Sequence, residues 1–129
     1  MPANIPTTIM PFLTVSNGKK AVDFYVAAFG AIEVKRFAKP EDKLYATLSI
    51  EGATFYIEDE EPELGNISPG ADAPSAVRII LQTTKADEIF EKAVKAGSTA
   101  ICPMETEEDW RMGKLKDPFG HTWEIGYTL

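Results

Sequence analysis

Glu124 is the residue in this chain most open to chemistry, a carboxylate set into the apolar terminal stretch Thr122-Trp123-Glu124-Ile125-Gly126-Tyr127. A charge in such surroundings is either a ligand-holding group or one half of an ion pair, because leaving it unpartnered is costly. Three residues upstream stands His121, the single histidine. Its unperturbed titration near neutrality fits a proton shuttle. Strand alternation, however, puts it on the face opposite Thr122 and Glu124, which fits a satisfied turn or interface histidine. With no second histidine there is no two-His metal set, and no Ser-His-Asp constellation can be assembled. Cys102, the single cysteine, rules out an internal disulfide and a Cys-rich metal site. Lying in Thr99-Ala100-Ile101-Cys102, it is expected to pack inside rather than to react.

These residues depend on elements that can be read in order. Asp117-Pro118-Phe119-Gly120 is a tight turn, since proline fixes φ and glycine accepts positive φ. A strand leaves it, with Thr122, Glu124 and Gly126 on one face and Trp123, Ile125 and Tyr127 on the other. At the other end, Met1 to Thr8 reads as an arm and Ile9 to Val15 as a strand. Lys19 to Phe29 has apolar residues at helical spacing, capped by Ser16 or Asn17 and stopped by Gly30. Strands follow over Ala31 to Ala38, Leu44 to Ile50 and Thr54 to Glu58, and then an acidic, Gly- and Pro-rich linker, Asp59 to Pro74. The order repeats: a strand at Val77 to Gln82, a helix at Ala86 to Ala96 with Thr84 as candidate cap, and strands at Ser98 to Pro103, Arg111 to Lys116 and Thr122 to Tyr127. Gly30 and Gly97 lie 67 residues apart and Gly52 and Gly120 lie 68 apart, as an internal duplication of a βαβββ unit predicts.

Composition sets limits on partners. A net charge of −7 and a pI near 4.7 argue against a nucleic-acid backbone, which calls for clustered Lys and Arg. The 44% apolar and 26% charged residues are ordinary for a globular protein. No stretch approaches the roughly 20 apolar residues of a membrane span, and the N-terminus lacks a basic region followed by an apolar core, so the expected location is cytoplasmic.

Asp-Pro-x-Gly followed four residues after the glycine by Glu, on top of the duplicated βαβββ order, resembles the vicinal oxygen chelate superfamily. That group includes glyoxalase I, fosfomycin-resistance enzymes, extradiol dioxygenases and bleomycin-resistance proteins. The resemblance implies an α+β fold over residues 1–129, built of module one (9–58), a linker (59–74) and module two (75–129). Two mixed sheets would form an open barrel-like cleft with helices outside; an unrelated ferredoxin-like α+β domain is the competing reading. Metal-binding members draw one ligand from the first and one from the last strand of each module. Those positions select Met10, Tyr56, Arg78 and Glu124 here. Only Glu124 is an ordinary ligand for a hard or borderline divalent ion, and the permanent cation of Arg78 would repel one. No metal site and no cofactor are therefore expected, a divalent metal entering only if the protein is an enzyme with an atypical ligand set.

By the same resemblance Arg78 and Glu124 come within reach of a charge-assisted hydrogen bond. The pair either replaces the metal or merely neutralises itself in a cleft wall. Alternation nominates Met10, Phe12, Thr14, Tyr56, Glu58, Arg78, Ile80, Gln82, Met112, Lys114 and Glu124 as cleft-facing. Trp110, expected in a loop, would either stack on a flat ligand or cover a dimer surface. Two classes of function stay open. One, which the resemblance to bleomycin-resistance proteins implies, is a metal-free small-molecule-binding protein, a homodimer as those proteins typically are, with a cationic or aromatic ligand; acidic runs such as Glu58 to Glu61 either are solvated loops or attract a cation. The other is an enzyme of lyase or dioxygenase type, or a metal-free catalyst using Glu124 as base with Arg78 or Tyr56 stabilising an oxyanion.

Overall fold

A computed structural model describes residues 4–70 and 72–129. Of the expected arm, Met1, Pro2 and Ala3 lie outside the described residues, as does Ala71 of the expected linker. The first half contains β1 (Phe12–Val15), α1 (Gly18–Phe29), β2 (Ile32–Lys39), β3 (Lys43–Ile50) and β4 (Ala53–Asp59). The second contains β5 (Arg78–Gln82), α2 (Ala86–Lys95), β6 (Thr99–Glu107), β7 (Trp110–Lys116) and β8 (Thr122–Thr128). Each half makes one four-stranded sheet, ordered β1-β4-β3-β2 and β5-β8-β7-β6. The first strand of each half runs parallel to the last, and the other neighbours are antiparallel. This is the expected pair of βαβββ units, with sheets that do not close on themselves.

The helices follow the expected local chemistry in the first half more closely than in the second. Asn17 caps α1, its side-chain oxygen accepting from the Lys20 amide at 3.1 Å, and Gly30 ends the helix at φ 70°. Thr84 does not cap α2. The residue at the cap is Lys85, without a side-chain bond, and its amide instead donates to Thr83 Oγ1 at 3.1 Å.

Several boundaries also differ, and three of them have a reason in backbone bonding. β1 begins at Phe12 rather than Ile9, because Pro11 has no N–H to extend the ladder and contributes only its carbonyl, to the Tyr56 amide at 2.9 Å. β6 continues past Pro103 to Glu107 because register shifts on either side of Cys102 absorb the proline. Trp110 opens β7 instead of lying in a loop, since Glu107 and Trp110 pair directly and leave only Glu108 and Asp109 as the turn. Cys102 is exposed, against expectation: it lies on edge strand β6 between those register shifts.

Alternation decides what is buried. In sheet one Leu13, Val15, Leu44, Leu48, Phe55 and Ile57 point towards α1, and their neighbours point away. The two halves share one core. Tyr25 and Phe29 of α1 meet Phe55 of β4 and Trp123 of β8, with Phe29 and Trp123 centroids 4.8 Å apart and Phe55 and Trp123 5.7 Å apart. Among the described residues no helix is long and apolar enough to cross a membrane.

Candidate functional site

The turn before β8 is organised by a buried carboxylate. Asp117 accepts from the Phe119 amide (2.9 Å), the His121 amide (3.0 Å), Trp123 Nε1 (2.9 Å) and the Tyr25 hydroxyl (2.5 Å). Complete burial, reinforced by the Asp117 charge, pushes the Tyr25 phenol well above its ordinary range, so it stays neutral and donates. Gly120 takes φ 94° and returns its amide to the Asp117 carbonyl at 3.1 Å. His121 leaves this turn with Nε2 2.8 Å from the Thr14 carbonyl. The histidine is thus a satisfied contact between the turn and β1, as one of its two sequence readings held.

β8 then carries Glu124 out on the face away from Trp123 and Ile125. Ile80 stands opposite Glu124 in the parallel ladder and Arg78 stands opposite Thr122. From there Arg78 reaches diagonally, and its Nη1 donates to Glu124 Oε1 at 3.0 Å. The two partners are unequally covered: Glu124 is buried, whereas the Arg78 side chain is 62% exposed. The pair inferred from strand adjacency is therefore formed.

Arg78 also lines an open groove of about 650 Å³ between β1 and β5, an edge strand of each sheet. Met10, Phe12, Ile80 and His121 line it as well. A smaller recess of about 270 Å³ on the face of sheet two opposite Leu115, Trp123 and Ile125 brings together Trp110, Met112, Lys114 and Glu124, with Cys102 beside them. The Arg78–Glu124 bond connects the groove to the recess. Trp110 also borders a third, acidic recess with Glu107, Glu108 and Asp109 at the β6–β7 turn.

Sheet one contributes a different surface. Phe12 lies 5.4 Å, centroid to centroid, from both Tyr45 and Tyr56, and Phe37 lies 5.6 Å from Tyr45. Four strands thus supply four rings on one face, Phe12 and Phe37 half-exposed at 50% and 55%. Phe37 and Tyr45 escaped the sequence reading. The signal was present in the register, since Phe37 pairs with Tyr45 and Tyr45 with Glu58, next but one to Tyr56. Glu58 does not stand free on this face: Lys39 Nζ lies 2.6 Å from Glu58 and 2.6 Å from Glu61. Burial, the largest single influence, lowers the Lys39 ammonium, but the two carboxylates together outweigh it and hold it above its ordinary range.

Of the residues nominated from sequence, the structure joins Met10, Phe12, Arg78 and Ile80 in the groove and Trp110, Met112, Lys114 and Glu124 in the recess. Tyr56 stacks against Phe12 on sheet one and does not line either space with Arg78 or Glu124. The four positions at which a metal would be sought hold a thioether, a phenol, a guanidinium and one carboxylate already bonded to that guanidinium. This donor set does not fit a divalent ion. Among the described residues no three His, Cys, Asp or Glu side chains are grouped to hold a metal.

Comparison with known proteins gives three kinds of match. A model of the glyoxalase/bleomycin resistance protein/dioxygenase superfamily matches residues 7–125. The uncharacterized protein Mb0911c of Mycobacterium bovis is 36% identical over 135 residues, covering 100% of this chain and 88% of the relative. The crystal structure of the Arabidopsis thaliana gene product At5g48480 superimposes with a TM-score of 0.67 at 31% identity, covering 93% of this chain and 98% of that one. The fosfomycin resistance protein FosX of Listeria monocytogenes, solved with Mn(II) and sulfate, superimposes with a TM-score of 0.65 at 18% identity over 95% of this chain and 93% of that one. The last similarity is one of fold.

Proposed function

Because the chain belongs to the glyoxalase/bleomycin resistance protein/dioxygenase superfamily, we propose that it is a small-molecule-binding protein that holds its ligand between β1 and β5 without a catalytic metal. The observation that carries this reading is the Arg78–Glu124 bond at 3.0 Å. Glu124 is the one hard ligand at the four candidate positions, and a guanidinium already neutralises it. A divalent ion would have to displace that cation and then sit beside it, with a thioether and a phenol as further donors. The Listeria FosX holds Mn(II) in the same fold, whereas the four candidate positions here offer a single carboxylate. Apolar side chains with a few polar groups at the edge suit an organic ligand.

The enzyme reading that pairs Glu124 as base with Tyr56 as oxyanion donor has less support, since Tyr56 belongs to the ring cluster of sheet one beside Phe12 and lines neither the groove nor the recess. Metal analysis of protein purified without chelators tests the proposal. Less than about one-tenth of an equivalent of Mn, Fe, Ni and Zn is expected, with no saturable heat on titrating Mn(II) or Zn(II). A stoichiometric ion lost on Glu124→Gln would overturn it.

A further inference from the structure

The groove between β1 and β5 has a charge character that the chain as a whole does not. The net charge of −7 is more compatible with a cationic or neutral ligand than with an anion. Yet among the described residues lining the groove there is no carboxylate, and the one permanent charge is the guanidinium of Arg78. Glu124, the nearest acid, does not line it and has Oε1 committed to Arg78. A cation entering here would meet Arg78 and no counter-charge.

Arg78 is also under-used. A guanidinium has five N–H donors in a fixed planar fork, and among the described residues one of them, on Nη1, is bonded. With 62% of its side chain exposed, the remaining edge is open to a second acceptor. His121 does not compete for that acceptor through Nε2, which is held at the Thr14 carbonyl. Apart from Ser75 and Thr122 the rest of the lining is apolar, and Met10, Phe12, Val77 and Ile80 give it one phenyl ring among aliphatic groups. Phe12 continues into the ring cluster of Tyr45 and Tyr56, so a flat apolar body has a surface to lie on.

We propose that the ligand of this groove is a small aromatic carboxylate, its carboxylate held by the free edge of Arg78 and its ring lying against Phe12 and Ile80. This rests on the reading of the protein as a metal-free binder and adds the sign and shape of what is bound. Two parallel N–H···O bonds to a planar anion are the geometry at which Arg differs from Lys. Glu124 then has a definite role. It fixes one side of the guanidinium and leaves the other presented to the groove.

The test uses three probes of one shape: 1-naphthoate, 1-naphthamide and 1-naphthylmethylamine, titrated by calorimetry and by amide chemical shifts. Wild-type protein should bind the carboxylate about tenfold or more tighter than the amide, and the ammonium most weakly, the difference expected for a charge-assisted bond. Arg78→Lys should lose most of that preference while keeping its charge. Glu124→Gln removes the competing acid and should tighten 1-naphthoate binding several-fold, and this variant leaves no buried charge unpaired. Phe12→Ala should weaken all three probes alike. Equal binding of the three probes, weakened by Phe12→Ala but indifferent to Arg78→Lys, would overturn the anionic assignment and leave the metal-free binding protein standing. Absence of shifts at Met10, Phe12, Arg78 and Ile80 with every probe would also overturn it. A stoichiometric metal in the purified protein is a separate result, and it is the one that would remove the broader reading.

Discussion

At the scale of single residues the asymmetry of the Arg78–Glu124 pair governs what substitution does. Removing Arg78 leaves a buried carboxylate without a partner, whereas removing Glu124 leaves a largely exposed guanidinium that water can solvate. Arg78→Ala should therefore cost about 1–3 kcal/mol and Glu124→Ala less than about 1 kcal/mol, read from urea unfolding midpoints at constant slope. The double variant should be less destabilised than the two singles added together, because each single loses the same bond. Equal costs would mean that Glu124 keeps its hydration in the folded protein. The pair itself was foreseeable from the family resemblance, which implies that the first and last strands of a module are neighbours. The exposure of Cys102 was not. An apolar run looks the same whether its strand is covered or lies at an irregular sheet edge, and only the register shifts on either side of Cys102 distinguish the two.

Among elements, the segment after β4 has an attachment that depends on pH. Glu60 accepts from both the amide and the hydroxyl of Ser68, at 2.9 and 2.8 Å, and these bonds hold its carboxyl below the ordinary value. A carboxyl depressed in the folded state adds stability above its unfolded pKa and loses it as pH falls through the folded pKa. The tether should thus be intact at neutral pH and release in the acid range, below the usual titration of glutamate. Ser68→Ala should raise the Glu60 pKa towards its ordinary value in an NMR titration and increase amide exchange at residues 61–68; no change in either would show that the segment is held by other contacts, such as the Glu61–Asn66 bridge. A linker was legible here from its acid, Gly and Pro content. Its partial order was not, because hydrogen bonds between Glu60 and Ser68, eight residues apart, follow no periodicity. Gly126 illustrates the same limit: a Cβ there would stand 2.1 Å from the Arg111 carbonyl oxygen, a close approach of β7 and β8 that spacing alone does not announce.

In the whole molecule, the aromatic core ties the halves together. Trp123 belongs to the second unit but packs on Phe29, Tyr25 and Phe55 of the first. Trp123→Ala should cost about 3–5 kcal/mol, the range for a large buried ring, and a fragment ending at residue 76 should bind a hydrophobic dye and unfold without a cooperative transition. A cooperative fragment would show that the first unit holds its own core. What the sequence alone determined is the part governed by local rules: the order of the elements, the faces of their alternating residues, the glycine turns and the duplication. These follow from periods of 2 and 3.6 residues and from the conformational range of glycine and proline, all of which act over a few neighbours. Tertiary structure alone decided which faces meet. It gathered Phe12, Phe37, Tyr45 and Tyr56 into one ring surface and lined a groove of an acidic protein with a single permanent cation. Those outcomes depend on the packing of two sheets on one core, where residues far apart in the chain become neighbours, and net charge or composition averages over such neighbourhoods.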